Sequence, residues 1–342
     1  MQQIFLAYML LYYCSIVLML FVMSWLSVKK FISIASQFNI IDLPNNRSSH
    51  TVPVVRGGGI VISLLSELVI IGLYFLEYLN IRVMLALSCA FIVSIIGFID
   101  DLIILPIKPR LLVQFVASLI AVALIVPLNI HSIISISIFI ILMVGLVWST
   151  NLFNFMDGTD GFAASEAIFV LTIASLLLFL NNNIEFGCCL LLISIIIFGF
   201  LCFNFPPAKI FMGDAGSCFL GFLIGISAII SHFIFGVSLF FWFIIYAVFV
   251  FDATITLLRR FISGQQWYAS HRSHAYQRLQ NIGWQHSDIL CGLILLNTCL
   301  IFIIFIAYYY NILLSASVLV LALLSILYFF IELRENKNEK NI

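Results

Sequence analysis

Length, composition and charge place this chain of 342 residues among the membrane proteins. Hydrophobic residues make up 64% of the chain and charged residues 9%, with a mean hydropathy of +1.21, whereas a soluble domain carries about a quarter charged residues. The formal net charge of zero removes the bulk basicity on which nucleic-acid binding depends, so no nucleic-acid partner is expected. The eight cysteines follow no paired zinc-ligand spacing and are interpreted as free thiols in apolar runs.

Apolar runs along the chain are long enough to cross a bilayer, whose core needs about 20 helical residues. They predict an all-α, polytopic fold that forms one integral membrane domain over 1–342, with a polar tail at 333–342. Eleven spans are expected, near 5–27, 60–79, 83–100, 111–127, 132–149, 162–180, 186–203, 218–234, 237–257, 288–309 and 312–332. The first run lacks a preceding basic residue and a cleavage pattern, so it is interpreted as a span and not as a signal peptide.

The distribution of basic residues predicts the orientation of these spans. With the N-terminus outside and the C-terminus in the cytoplasm, fourteen of the fifteen Lys and Arg residues fall on the inner side, and only Arg82 falls outside. Most of the polar chemistry falls on the same side, in five inner segments: 42–59, 100–110, 151–161, 204–217 and 259–286. Because acidic residues contribute little to the positive-inside rule, the Asp and Asn residues there indicate a function.

Two acidic motifs are the first candidates for that function. Asp100 and Asp101 end the third span, where adjacent carboxylates repel each other and lose hydration unless a cation offsets them. They are read as a divalent-metal or catalytic pair, with an ordinary acidic helix end as the alternative. The second motif, NLFNFMDGTDGF, repeats a polar residue every third position, at Asn151, Asn154, Asp157 and Asp160. An unbroken helix would put the first and last on opposite faces, so Gly158 and Gly161 are expected to break it.

The remaining inner segments supply an aromatic group, a further carboxylate and several cations. The loop FNFPPAKIFMGDAGS offers a polar and aromatic set at Asn204, Lys209, Phe211 and Asp214. Its main-chain N–H groups suit an anion and Asp214 suits a metal, while plain interfacial burial is the alternative for Phe211. Phosphate-binding candidates are Arg47, His50, Arg56, His271, Arg272, His274 and Arg278. His271, His274 and Arg278 are predicted to form one stripe of a helix, with a zinc site or a solvated basic loop as alternatives.

Together these groups suit a magnesium-bound nucleotide diphosphate and a second phosphate carried by a lipid. No Walker A sequence is present, which argues against ATP.

The order of the motifs adds a specific resemblance. The acid pair, NxxNxxDGxDG, FNxPxxKxFMGDxGS and the late histidine segment are similar to the polyprenyl-phosphate N-acetylhexosamine-1-phosphate transferases of glycosyltransferase family 4, over about 40–280. The resemblance implies transfer of a sugar 1-phosphate from a UDP-N-acetylhexosamine to undecaprenyl phosphate, with release of UMP, in a bacterial inner membrane with the site facing the cytoplasm. It implies Mg²⁺, with Mn²⁺ as a substitute, bound by Asp214. It puts Asp100 and Asp101 at the catalytic centre.

The resemblance also implies a nucleotide-sugar pocket lined by Asn154, Asp157, Asp160, Asn204 and Phe211, to which Asn151 and Lys209 are added as candidates. The peptidoglycan branch has a run of consecutive histidines where this chain has HRSHAYQRL, so the chain is more similar to the initiators of O-antigen or capsule synthesis. The donor stays open between UDP-GlcNAc and a 6-deoxy relative such as UDP-QuiNAc or UDP-FucNAc. The oligomeric state stays open as well, with a homodimer among the alternatives.

A transporter or flippase for a lipid-linked sugar is the alternative from another class. Such proteins place their ion and substrate sites near the midplane of the membrane. Glu67 and Asp252 favour that interpretation, because each lies within a predicted apolar segment or near its end.

Overall fold

The computed structural model describes residues 2–43, 52–103, 105–266 and 271–339, and side chains between 13 and 335. The helices are α1 Gln2–Gln37, α2 Gly59–Phe75, α3 Ile81–Ile103, α4 Ile107–Ile125, α5 Ile133–Phe155, α6 Phe162–Leu180, α7 Ile184–Asn204, α8 Gly213–Phe233, α9 Leu239–Ile245, α10 Ala247–Ile262, α11 Ala275–Asn281, α12 His286–Tyr309 and α13 Leu313–Glu339. Two short strands, β1 Ile41–Asp42 and β2 Val54–Val55, lie between α1 and α2. The all-α prediction is confirmed.

Helix covers each of the eleven predicted spans, but fewer meet the criteria for a crossing. Within the described residues nine helices are long and apolar enough, or ten if the bent pair of α9 and α10 forms one span. The chain is therefore a multi-pass membrane protein. Helix α2 is apolar but has only 17 residues. The span predicted at 237–257 is interrupted by a bend, because α9 and α10 meet at 80°. The polar tail predicted from 333 continues α13 as far as Glu339.

Helix α8 is the centre of the bundle, since 15 of its 21 residues are buried. It packs against α3 and α5, and small residues allow the close approach. A Cβ atom at Gly97 of α3 would overlap the main chain of Asp214, and one at Gly221 of α8 would crowd Ser149 and Thr150 of α5. This packing brings the C-terminal end of α3 beside the start of α8.

The two strands join the loop before α2 to the loop before α8. Ile41 pairs with Val55 in an antiparallel ladder, and the N–H of Phe211 donates to the carbonyl of Val55 at 2.8 Å. The main chain at Arg56 is thereby held next to the start of α8. Arg47 and His50 lie outside the described residues.

Candidate active site

Asp101 is fixed at the start of α8 by the main chain. Its Oδ1 accepts the N–H of Asp214 at 3.0 Å, and its Oδ2 accepts the N–H of Ala215 at 3.1 Å. A carboxylate at a helix N-terminus is stabilised by the unpaired N–H groups and by the helix dipole. Gly213 has φ +72°, and a Cβ atom there would overlap the Asp101 carboxylate. The FMGD motif therefore needs its glycine so that Asp101 and Asp214 can lie side by side.

Two arginines bridge the three carboxylates. Arg56 Nε lies 2.8 Å from Asp101 Oδ1, and its Nη2 lies 3.6 Å from Asp214 Oδ1. Arg110 Nη1 lies 2.6 Å from Asp100 Oδ2, and its Nη2 lies 2.5 Å from Asp214 Oδ2. We call Arg56, Asp100, Asp101, Arg110 and Asp214 the Asp–Arg cluster. Sequence reasoning missed Arg110 as a site residue, although it follows the acid pair closely in the same inner segment.

The polar segment at the end of α5 and in the loop after it contributes two further groups. Asn154 Nδ2 donates to Asp214 Oδ1 at 3.0 Å and to Ser217 Oγ at 2.8 Å. The loop carboxyl of Asp157 is half-buried, and its pKa is raised well above the usual range by burial and then by the negative charges of Asp214 and Asp101. Asp157 therefore shares the electrostatic field of the Asp–Arg cluster. The predicted helix break is confirmed, since α5 ends at Phe155 and α6 begins at Phe162.

Two predicted sugar or nucleotide ligands have their hydrogen bonds within the protein. Asn151 donates to Gln114 Oε1 at 2.7 Å and to a carbonyl one turn earlier. Asn204 accepts from the N–H of Gly161 at 3.0 Å and donates to the carbonyl of Ile210 at 2.8 Å. These side chains join loops, and a contact with a nucleotide stays a prediction for both.

Asp160 is likewise engaged by the protein. Its Oδ2 accepts from the N–H of Ala208 at 3.0 Å, and its Oδ1 lies 3.2 Å from His286 Nδ1. In the same loop Lys209 is exposed and Phe211 is half-buried. His286 is a partner that the sequence analysis did not single out, because it starts α12, far along the chain.

The histidine segment lies beside the loop after α5. The His274 ring stacks on Phe155 with centroids 6.2 Å apart, and Tyr276 Oη donates to the carbonyl of Phe155 at 3.0 Å. Burial, followed by the neighbouring His274 and arginine charges, lowers the pKa of His271 to about 4. His271 is therefore a neutral hydrogen-bonding group at neutral pH. Arg272 is half-buried.

Arg278 lies elsewhere. The predicted helical stripe is wrong, because residues 271–273 are not helical and α11 begins only at Ala275. Arg278 is 1% exposed, lies over the ring of Tyr328 at 4.4 Å and pairs with Glu335 at 3.3 Å. It connects α11 to the last helix and does not join the Asp–Arg cluster.

Contacts join all five of the predicted inner segments at one end of the bundle. The Asp–Arg cluster links 42–59, 100–110 and 204–217, Asn154 adds 151–161, and Tyr276 adds 259–286 through its bond to Phe155. The prediction that these segments share one face is therefore consistent with the structure.

The donor chemistry of the cluster fits a divalent cation. It carries three carboxylates against two guanidinium groups, a formal excess of one negative charge, and the carboxyl of Asp157 with its raised pKa shares the same field. Within the described ranges, no three His, Cys, Asp or Glu side chains are arranged as a ready metal cage. Mg²⁺ is commonly held by one or two carboxylates together with substrate phosphates, so a full protein cage is not required. Asp214 is the carboxylate best placed for this, as its side chain is 15% exposed while that of Asp101 is fully buried.

Comparison with known proteins gives consistent matches. The sequence model of the glycosyl transferase family 4 matches residues 83–232. A probable undecaprenyl-phosphate N-acetylglucosaminyl 1-phosphate transferase of Bacillus subtilis is 29% identical over 266 residues, which cover 74% of this chain and 73% of the relative. A phospho-N-acetylmuramoyl-pentapeptide-transferase of Campylobacter jejuni is 33% identical over 211 residues, covering 51% of this chain and 59% of the relative.

The family match runs from α3 to α8, the helices that carry or flank Asp100, Asp101, Asn154 and Asp214. The motifs, the geometry and the relatives thus agree in their similarity to the glycosyl transferase family 4, whose model covers residues 83–232 of this chain.

Proposed function

We propose that this protein transfers an N-acetylhexosamine 1-phosphate from a UDP-sugar to undecaprenyl phosphate, giving undecaprenyl-diphosphate-sugar and UMP. The observation that carries the proposal is the Asp–Arg cluster, which gathers three carboxylates and two arginines at the inner ends of α3 and α8. The names of the relatives support the acceptor, since one of them acts on undecaprenyl phosphate.

The proposed chemistry exchanges one phosphoanhydride for another. An oxygen of the lipid phosphate attacks the β-phosphorus of the UDP-sugar, the bond between the β-phosphorus and the bridging oxygen breaks, and UMP leaves with that oxygen. Arg56 and Arg110 are bound to carboxylates in this structure, and guanidinium groups bind phosphate with the same paired geometry. We expect both to bind the substrate phosphates during the reaction.

The carboxylates have different environments, which supports different roles. Asp101 is fully buried and accepts two main-chain N–H groups, which suits a residue that orders the start of α8. Asp100 and Asp214 share Arg110, and their side chains are 7% and 15% exposed. Asp214 would hold Mg²⁺, which neutralises charge on the diphosphate when it is bound. Asp100 is then the carboxylate available to orient the lipid phosphate or to accept a proton from it.

We further propose that the enzyme works at the bacterial inner membrane, with this site in the cytoplasm, and starts an O-antigen or another surface polysaccharide. The positive-inside distribution supports the orientation. The segment HRSHAYQRL lacks consecutive histidines, which supports a donor without a muramoyl-pentapeptide. The Bacillus subtilis relative makes UDP-GlcNAc the first donor to test.

The decisive experiment is transfer by the purified protein in detergent. Incubation with UDP-[³H]GlcNAc, undecaprenyl phosphate and Mg²⁺ should give a lipid-soluble radioactive product, and parallel reactions with 6-deoxy donors would identify the sugar. The matched control is Asp214→Asn, which should give none. Absence of product with every donor, together with movement of lipid-linked sugar across vesicles, would favour the transporter alternative.

A further inference from the structure

Asp252 lies outside the Asp–Arg cluster, yet it has a well-defined set of partners. It lies on α10, is 6% exposed, and both of its oxygens accept the N–H of Ala275, at 2.9 and 3.0 Å. Its Oδ1 also accepts from Thr256 Oγ1 at 3.0 Å. The carboxylate therefore ties the helix after the bend to the main chain where the histidine segment enters α11.

The same carboxylate faces a histidine. His274 Nδ1 lies 3.6 Å from Asp252 Oδ1, and the ring is 2% exposed. The ring lies between two aromatic rings, with Phe155 at 6.2 Å and Tyr276 at 6.0 Å between centroids. Since Phe155 ends α5, this contact reaches the loop that carries Asp157.

The loop and the histidine segment also fit together closely. Tyr276 Oη donates to the carbonyl of Phe155 at 3.0 Å. A Cβ atom at Gly158 would overlap the Tyr276 hydroxyl, so this glycine is needed for the approach. A shift of the histidine segment would therefore move the loop that carries Asp157.

Burial of Asp252 is costly unless its partners stay in place. Among the residues that the structure describes, no lysine or arginine forms an ion pair with it. One main-chain N–H, one hydroxyl and the nearby His274 replace the water that Asp252 loses on burial. Other titratable or charged groups around the histidine segment are His271, Arg259 and Arg260. A buried carboxylate is destabilised whenever one of these partners moves away, because its lost hydration is then no longer replaced.

We propose that Asp252 is a positioning residue, which holds residues 271–276 against the Asp157 loop and so sets the geometry of the donor side of the site. This inference rests on the proposed transfer reaction. It assigns Asp252 to catalysis through His274 and not to an ion path through the membrane.

A double-mutant cycle on the purified protein tests the proposal. Asp252→Asn and His274→Ala should each lower kcat about 10- to 100-fold, as small displacements of positioned groups do. The double variant should lose less than the product of the two single losses, because both act through one segment. Losses that multiply in full would overturn the proposal. Glu67→Gln, a distant carboxyl on α2, is the control and should keep the wild-type rate and thermal midpoint.

Thr256→Val provides a milder variant. It removes the contacts of the Thr256 hydroxyl with Asp252 and with Tyr328 and should cause a smaller loss in kcat, most of which disappears in the Asp252→Asn background. If Asp252→Asn does not fold, wild-type kcat in Thr256→Val overturns the inference. If the wild type is active and Asp252→Asn keeps the wild-type kcat, this inference alone is overturned. If the wild type is inactive, the proposed function is overturned as well.

Discussion

Arg110 on α4 contacts both Asp100 of α3 and Asp214 of α8, with one guanidinium nitrogen on each carboxylate, at 2.6 and 2.5 Å. The same fork that holds two carboxylates matches two oxygens of a phosphate. In the proposed reaction, a cation held by Asp214 would neutralise that carboxylate and leave Arg110 for the substrate phosphates. On this proposal, the carboxylates of the site occupy its phosphate donors until substrate binds.

Replacement of Arg110 tests this relationship. Arg110→Ala should lower kcat about 100-fold or more, the usual cost of removing a donor to developing negative charge. Arg110→Lys should recover only part of the rate, because an ammonium lacks the paired donors. Steady-state rates with the lipid acceptor provide the measurement. Arg82→Ala, on the opposite side, is the control, and equal rates in Arg110→Ala and the control would refute the assignment.

The metal prediction concerns Asp214. Asp214→Asn should abolish turnover and lower the thermal midpoint only modestly, because the amide oxygen can still accept from either Asn154 or Arg110, although not from both. EDTA should abolish wild-type turnover, and Mg²⁺ or Mn²⁺ should restore it. Asp288→Asn, an exposed carboxyl at the start of α12, serves as the control. Full wild-type activity in chelator would exclude the metal requirement.

Asp100 and Asp101 should respond differently to the same substitution. Asp100→Asn should reduce kcat far more than the KM for the UDP-sugar, as expected for a group that acts in the transition state. Asp101→Asn replaces one acceptor of the α8 N–H groups by a donor, so it should lower both kcat and the thermal midpoint. The two variants are compared by kinetics and by scanning fluorimetry. A change confined to the KM of Asp100→Asn would make it a binding residue instead.

Asp157 gives a prediction about pH. Its pKa is raised in the folded state, so the folded protein binds more protons than the unfolded chain above the ordinary carboxyl pKa. Its contribution to stability is present below that ordinary value and is lost as the pH rises through the folded pKa. In chelator, Asp157→Asn should therefore be more stable than the wild type at pH 8, with the difference vanishing towards pH 4. Thermal midpoints across this range measure the effect, and a wild type that is more stable at pH 8 would contradict it.

The energetics of the reaction can be tested by reversal. The bonds broken and formed are both phosphoanhydrides, so the equilibrium constant should lie within about two powers of ten of unity, a difference of at most ~3 kcal/mol. Labelled UMP should enter UDP-sugar only when the carrier lipid bears sugar phosphate. His271→Ala and Arg56→Ala should slow both directions equally, because a catalyst does not shift the equilibrium. A product that excess UMP cannot reverse would contradict the proposed chemistry.

The closeness of Asp101 to Asp214 could be predicted because it depends on local motifs at the ends of helices. Asp101 follows a second acid, and Asp214 follows a glycine. The two meet because the end of α3 and the start of α8 lie at the same end of the bundle. Asn154 was predictable for the same reason. The sequence predicts which loops share one side of the membrane, because polar residues are concentrated in those loops. It does not predict which helices contact each other.

The failures have physical causes that local patterns do not contain. The sequence stays apolar through the break after Ile245, with neither Pro nor Gly there to mark a bend. Arg278 has the right spacing from His271 for a helical stripe, but α11 starts only at Ala275. The partners of Arg110 and His286 depend on which helices pack together, and a single sequence does not give that.

The bond between Asp101 and the start of α8 has a consequence for synthesis. The two partners are separated by 113 residues, and at about 5–20 residues per second this stretch takes on the order of ten seconds to translate. During that time α3 has been made, but the N–H groups that bind Asp101 have not. Until α8 arrives, its carboxylate can pair with Arg56, which is already made, or stay in water or carry a proton, and this keeps the C-terminal end of α3 at the membrane surface. The order of translation thus makes α8 the helix that completes the surroundings of Asp101.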